Sequence, residues 1–382
     1  MALIDQRRLI ARPPTFWASK LLDINWPYVL LLCALAGVGY AALYSAGLGP
    51  DRYANRHATR FAVGLVMMIG VAVTDLRRLR QLAWPLYGAA LFLLLLVARF
   101  GHVGKGAQRW LDIGPLQIQP SELMKVALVL ALAAWFSRAD WDRAGRIPFL
   151  IPPTLAVLLP VALILKEPNL GTAVITLILG AAVFVAAGVR LWWFALGAIA
   201  VAAAAPLAYR HLHDYQRARI LTFLHPERDP LGAGYNILQS RIALGSGGLW
   251  GEGFMHGTQG VLAYLPERQT DFIFTMWAEQ FGFVGGAALL LLLLAVIGGA
   301  ILTALRCRSQ FGRLLALGVG VNFSLYVFVN IAMVTGAIPV GGVPLPLVSH
   351  GGSALLTVMF GFGLLMSVHV HRDDPLDETP AD

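Results

Sequence analysis

The stretch Tyr264-Leu265-Pro266-Glu267-Arg268-Gln269-Thr270-Asp271-Phe272-Ile273-Phe274 carries charges and a proline straight into an apolar run that ends near Leu305. A carboxylate, Asp271, therefore stands where a long polar connection turns into a segment with the character of a membrane span. An ionisable group is costly to keep at such a boundary, which makes it a functional-site candidate by default. Composition supports a membrane reading: hydrophobic residues make up 58% and charged residues 13% of the 382, against about 25% charged residues in soluble domains.

Working outward from that stretch, apolar runs close to the ~20 residues that cross a bilayer lie at 28–48, 58–74, 82–98, 121–136, 149–165, 170–187, 191–207, 271–305, 312–335 and 351–370. The expected fold is all-α and polytopic, with about ten transmembrane helices. An even number puts both termini on one side, and the Lys and Arg of the short connections tell which side it is. Fifteen lie with the termini (among them Arg77, Arg78, Arg80, Arg306, Arg308 and Arg313) and seven opposite (Arg52, Arg56, Arg60, Arg99, Lys105, Arg109 and Lys166), so the termini are read as cytoplasmic. The net charge of +8 reflects this bias and suits anionic lipid headgroups; nothing in the pattern suggests a nucleic-acid partner.

The first apolar run lacks a small-residue cleavage pattern and reads as a retained anchor. Cys33 falls within that run and Cys307 among cytoplasmic arginines, so no disulfide between them is expected. The organisation expected is a cytoplasmic tail (1–27), one transmembrane domain (28–370) and an acidic cytoplasmic tail (371–382), of which 373–382 is read as disordered. One extracytoplasmic connection, 208–270, is too long for a simple turn and too rich in Tyr215, Phe223, Tyr235, Trp250 and Phe254 for a disordered linker. It is expected to form an ordered cap with short amphipathic helices on the membrane face.

Four places carry candidate chemistry. Gly106-Ala107-Gln108-Arg109-Trp110 leads to Gln119-Pro120-Ser121-Glu122-Leu123-Met124-Lys125, where Pro120 suits a first helical turn. Glu122 and Lys125, three apart, share a helical face and pair inside the membrane, either as a structural ion pair or as part of a site. Lys166-Glu167-Pro168-Asn169-Leu170-Gly171-Thr172 reads from spacing as a loop with snorkelling ends. In the long connection, Arg217 and Arg219 with the Gly-rich run 245–253 offer cations and backbone N–H groups of the kind a phosphate needs, although such runs are more often turns. His211, His213 and Asp214 lack further metal ligands at suitable spacing. No Gly-x-x-x-x-Gly-Lys-Ser/Thr element occurs, which disfavours an ATP-driven mechanism. Finally, the prolines and glycine pairs of 339–353, with Ser349, His350, Gly351 and Gly352, interrupt helix directly before the last run, and Ser349 suits a cap whose helix faces an anion.

Residues 330–354, together with Gly-Ala-x-Arg109-Trp, Gln-Pro-Ser-Glu122-x-x-Lys125, Lys166-x-Pro-x-Leu-Gly-Thr172 and Thr270-Asp271-Phe-Ile-Phe274, resemble the SEDS family (shape, elongation, division and sporulation) of bacterial membrane proteins. The resemblance covers nearly the whole chain. Gly-Tyr-Asn236-x-x-Gln-Ser240, Gly-Ser-Gly-Gly248 and Gly257-Thr-Gln259 are closer to its elongation member than to its division member. What the resemblance implies is a peptidoglycan glycosyltransferase of the bacterial cytoplasmic membrane, which joins lipid II units on the outer face. Its implied partner is a class B penicillin-binding protein.

Asp271 matches the family's essential aspartate, and Arg109, Glu122, Lys125 and Ser349 fall on its motif residues. Asn169 stands where the family usually has Asp, Gly342 where Thr is common and His350 where Tyr is usual. Chemically, a base is needed at the attacking hydroxyl and cations at the departing pyrophosphate. Asp271 is the expected base; Arg268, Arg217, Arg219 or Lys125 are expected at the pyrophosphate, with Glu267, Ser349, Gly351 and Gly352 completing the substrate-binding set. No cofactor is expected, a divalent cation being the one addition the chemistry leaves open. The competing readings are a flippase for lipid II and a scaffold for the crosslinking enzyme.

Overall fold

The computed structural model describes residues 17–104, 107–113, 116–138, 147–167, 169–210, 217, 221, 233–257, 265, 267–339 and 341–374. A short helix α1 (Trp17–Leu22) precedes α2 (Trp26–Gly47), α3 (Asn55–Ala72) and α4 (Leu76–Phe100). Strands β1 (His102–Gly104), β2 (Ala107–Ile113) and β3 (Leu116–Ile118) follow, and then α5 (Pro120–Phe136), α6 (Ile147–Lys166), α7 (Leu170–Ala186) and α8 (Trp192–Arg210). The chain continues with α9 (Ala233–Ser246), α10 (Ile273–Arg306), α11 (Gln310–Val334) and α12 (Gly352–Val370).

A helix occupies each of the ten apolar runs. Six of them, α2, α4, α6, α10, α11 and α12, are long and apolar enough to cross a membrane by length and composition. Local chemistry sets several starts: Asn25, Asp75 and Ser309 accept backbone N–H bonds at the N-termini of α2, α4 and α11, and Pro120 sits in the first turn of α5.

The helices are arranged around α5, whose side chains are buried except Leu123 and Trp135. It packs against α4, α6, α7, α11 and α12. The outer helices are apolar on their exposed sides: Val66 is 73% exposed on α3, Phe92 60% on α4 and Leu291 67% on α10. An apolar exterior around a close-packed interior is what a bilayer solvates and water does not.

The expectation of an all-α chain is corrected in one place. Between α4 and α5 lies a three-stranded antiparallel sheet in the order β1-β2-β3, with His102 opposite Trp110 and Leu111 opposite Ile118. Its strands run three, seven and three residues, and the outer two are too short for an alternating pattern to stand out from loop sequence. The sheet hangs from the ends of α4 and α5 and touches α12, which fixes Arg109 relative to the helix ends.

The long connection is ordered in its described part. Helix α9 lies on α10 and α11, with Ser240 Oγ donating to Val334 O at 2.8 Å and lying 2.8 Å from Thr275 Oγ1. The glycines of 245–253 are there for backbone contact. Phe283 N donates to Gly248 O at 2.8 Å, Glu252 N to Glu279 O at 3.0 Å and Gly253 N to Gln280 O at 3.1 Å. A Cβ on Gly251 would lie 2.1 Å from Gln280 O. The helix α10 breaks at Gly282 (φ 64°) to receive this run, a conformation glycine tolerates best. The phosphate-cradle reading of the run is therefore corrected: backbone carbonyls of the run and of α10 already take the N–H groups of Gly251, Glu252 and Gly253.

Candidate functional site

One end of the bundle gathers the start of α3, the sheet, the starts of α5, α7, α10 and α12 and the end of α11. The other end gathers Lys20, Val73, Thr74, Ser367, Arg308 and the residues following α12: Lys20 Nζ lies 2.9 Å from His371 Nε2, and Ser367 Oγ donates to Thr74 O at 2.6 Å. Among the described residues, the segments around Arg109, Glu122, Asn169, Asp271 and Ser349 are thus collected at a single end.

At that end two irregular segments are tied together. Ser349 Oγ donates to Thr270 O at 2.5 Å and accepts from Leu345 N at 2.8 Å, while His350 N donates to Gln269 O at 2.8 Å. Asn330, from the last turns of α11, donates to both Asp271 O at 2.9 Å and Val343 O at 2.8 Å. These bonds hold the backbone from Gln269 to Asp271 against the turn before α12. Leu347 (φ 63°) and Glu267 (φ 56°), one on each segment, have left-handed backbone, a strain that surrounding contacts must outweigh.

The Asp271 carboxylate is half-buried one residue before the N-cap of α10. Its Oδ2 lies 3.8 Å from the Cβ position that Gly342 leaves empty, and Gly342 has a φ of 67°. A glycine there meets the backbone requirement and puts no side chain against the carboxylate. Gly341 in turn packs under the start of α7, with Gly171 3.3 Å from Gly341 O, measured from the missing Cβ.

Beneath this surface, Glu122 and Lys125 pair at 2.8 Å with side chains 7% and 1% exposed. Tyr326 of α11 closes the pair into a triad, its hydroxyl bonding Glu122 Oε2 and accepting from Lys125 Nζ. A small void lined by Tyr326, Leu345, Ser349, Gly351 and Ala354 joins the triad to the turn before α12.

Arg109 reaches across to the segment between α6 and α7, where its Nε donates to Glu167 O at 3.4 Å. Glu167 is 3% exposed, and neither carboxylate oxygen has a hydrogen-bond partner. Burial pushes its carboxyl up to about 8 from 4.5, with the Arg109 charge opposing. The folded-state value lies above the unfolded one, so the stabilisation of the protonated form is fully present below about pH 4.5 and is lost as pH rises through about 8. Thermal melting of wild type is therefore expected to fall across that window, and Glu167→Gln is expected to flatten the fall; parallel melting curves across pH would remove the buried acid from the account. Asn169 takes the ordinary part of an N-cap on α7, accepting from Thr172 N at 3.4 Å, a place Asn fills about as well as Asp.

Of the other expected residues, Arg217, Glu267 and Arg268 are partly buried and engaged in interactions of their own. Arg219 and the His211, His213 and Asp214 cluster lie outside the described residues. Among the described residues no group of three His, Cys, Asp or Glu side chains is gathered for a metal. Tyr326, Asn330 and Glu167 were not singled out by sequence reasoning. A signal existed for two of them: Asn322, Tyr326 and Asn330 are polar at intervals of four on one face of an otherwise apolar helix.

The sequence and the fold both have known counterparts. The family profile described as cell cycle protein, covering FtsW, RodA and SpoVE, matches residues 28–374. Peptidoglycan glycosyltransferase MrdB of Escherichia coli K12 is 42% identical over 369 residues, 94% of this chain and 96% of that protein. MrdB of Helicobacter pylori 26695 is 38% identical over 323 residues, 82% of each chain. Among solved structures, a chain from a peptidoglycan synthase complex described for its coordination of polymerization and crosslinking superposes with a TM-score of 0.79 at 34% identity, covering 92% of this chain and 99% of that one. The crystal structure of the Thermus thermophilus rod shape determining protein RodA superposes with a TM-score of 0.70 at 31% identity, covering 92% and 98%. With a profile matched almost end to end and relatives alike over nearly their whole length, the chain belongs to the FtsW, RodA and SpoVE family of cell cycle proteins.

Proposed function

We propose that this chain is a peptidoglycan glycosyltransferase that polymerises lipid II for cell-wall elongation, with Asp271 as general base. The observation that carries the catalytic assignment is the Asp271 carboxylate, half-buried at the start of α10, where the turn before α12 is tied to its backbone and Gly342 lies beside its Oδ2. In the reaction, the hydroxyl oxygen of one sugar forms a bond to the anomeric carbon of another, its proton passes to Asp271, and the bond to the lipid pyrophosphate breaks with the electron pair leaving on the phosphate oxygen. The leaving pyrophosphate supplies the driving force, so no nucleotide is needed.

The ten apolar helices are read as ten spans with both termini cytoplasmic, which puts the end bearing Asp271 on the outer face. A polyprenyl chain cannot enter a closed pocket, so the site opens sideways to the outer leaflet between spans. The partner read from the family is a class B penicillin-binding protein, and the relation of this fold to a chain of a synthase complex that couples polymerization and crosslinking supports it.

The test is the purified protein, with and without that partner, supplied with labelled lipid II and scored for glycan polymer. Polymer formation is expected. Transport of lipid II across vesicle membranes with no polymer under either condition would replace the enzyme with a flippase, the alternative to which broken helices and buried charges also lend themselves.

A further inference from the structure

The link between α6 and α7 holds an acid that the proposed reaction does not use. Glu167 is followed by Pro168, which brings no N–H to bond, and the next amide, Asn169 N, donates to Ile164 O at 3.3 Å. Its own N–H is taken by Leu163 O and Ile164 O at 3.3 and 3.2 Å. Arg109 Nε meets the backbone carbonyl of Glu167, and both carboxyl oxygens are buried without a partner. Lys166, beside it, is exposed.

Such a place suits a neutral acid and is costly for an anion. Of the ionisable groups on the elements packed around it, Arg109 on β2 favours the anion, while Glu122 and Lys125 on α5 balance each other at 2.8 Å. Arg99 at the end of α4 and Asp112 on β2 are exposed, and α7 and the segment 339–348 carry no ionisable side chain. Burial prevails over Arg109, so the close packing observed is that of the neutral form. The link also touches the clamp around Asp271. A Cβ on Gly171 would lie 3.3 Å from Gly341 O, Gly341 N donates to Met333 Sδ at 3.2 Å, and Asn330, one turn away on α11, bonds both Val343 O and Asp271 O.

We propose that neutral Glu167 is a positioning residue for the base: it keeps the α6–α7 link packed against Gly341, and its ionisation loosens that link and the turn that holds Asp271. The inference rests on the polymerase reading above and adds to it a control by pH. An anion at this place must reach water or draw Arg109 away from the Glu167 carbonyl. Either movement displaces the link from Gly341, and with it the Val343 and Asn330 bonds that fix the Asp271 backbone. Activity therefore belongs to the protonated form; it is full where Glu167 holds its proton and falls as pH rises through about 8.

The experiment compares the full-length wild type, Glu167→Gln and Glu167→Met at about pH 7 and about pH 9. One readout is polymer from labelled lipid II. The other is backbone hydrogen–deuterium exchange, read between proteins at the same pH so that the intrinsic pH dependence of exchange cancels. Wild-type polymerisation is expected to fall roughly tenfold between the two conditions, the loss of the protonated fraction one unit above its midpoint, while variants that cannot ionise there stay within about twofold. Glu167→Met serves if Glu167→Gln does not fold. Peptides carrying Asn169 and Val343 are expected to exchange faster in wild type than in the variants at the higher pH and equally at the lower, which a merely structural acid would not produce. A fall in polymer that the variants share overturns the proposal, and so does faster wild-type exchange spread over the whole chain, the mark of global unfolding. Exchange that opens as expected in a protein making no polymer at either pH retains the pH-sensitive link and removes the polymerase reading. Polymer with no difference in exchange removes the link and keeps the polymerase.

Discussion

Asp271→Asn is expected to lower glycan polymerisation by roughly 10²- to 10⁴-fold, the range a positioned general acid–base group supplies, with little change in folding. The substitution keeps the shape of the side chain and removes its negative charge and with it the capacity to take a proton. The structural contacts around residue 271 support that separation. Asn330 bonds the backbone carbonyl of Asp271, and Ser349 and His350 bond the carbonyls of Thr270 and Gln269. None of those three bonds involves the carboxylate, so the clamp survives the change. The measurement is polymer yield from labelled lipid II beside a melting curve and a lipid-binding titration on the same preparation. Polymer at near wild-type level from a folded Asp271→Asn protein would remove the base assignment. Loss of both polymer and melting transition would instead place residue 271 in the architecture of the clamp.

Asp271 was legible in the sequence because its signal is local: a charge next to a proline at the start of a long apolar run needs no partner to be noticed. The Glu122 and Lys125 pair was legible for the same reason, since a spacing of three sets one helical face. Features that depend on a second segment were not. Tyr326 lies about two hundred residues from Glu122, a separation of 204, and only packing of α11 on α5 brings them together. The glycines of 245–253 were noticed and left open between a turn and a phosphate cradle, because a sequence does not say whether a glycine admits a ligand or another backbone; here it is the backbone of α10 around Gly282. The sheet at 102–118 was missed because two of its three strands are only three residues long, too short to show an alternation. His350 illustrates a third limit. Its departure from the family's usual Tyr was visible, yet its neighbours Arg60 and Tyr53 come from the far end of another helix hairpin.

The triad supplies the other large effect. Glu122 and Lys125 are buried with the Lys125 side chain 1% exposed, and each has the other as its charge partner. Glu122→Gln leaves an ammonium in the interior, and Lys125→Met leaves a carboxylate; each single change is expected to cost about 3–5 kcal/mol, the penalty for stranding a buried charge. The exchange Glu122→Lys with Lys125→Glu restores a pair at the same spacing and is expected to recover a good part of the loss. Recovery is expected to be incomplete, since Tyr326 hydrogen-bonds both Glu122 and Lys125 in the native arrangement, and exchanging them reverses the polarity its hydroxyl meets. Tyr326→Phe tests that step directly: it removes the hydroxyl alone and is expected to destabilise by about 1–3 kcal/mol, the cost of an unsatisfied buried group. The quantity to measure is unfolding in detergent for the two single variants, the exchange and Tyr326→Phe, with polymerisation scored in parallel. Equal stability across all four would mean that the buried pair contributes nothing to the fold. An exchange that refolds without polymerising would mean that Lys125, through the void shared by Tyr326 and Ser349, also governs the substrate side.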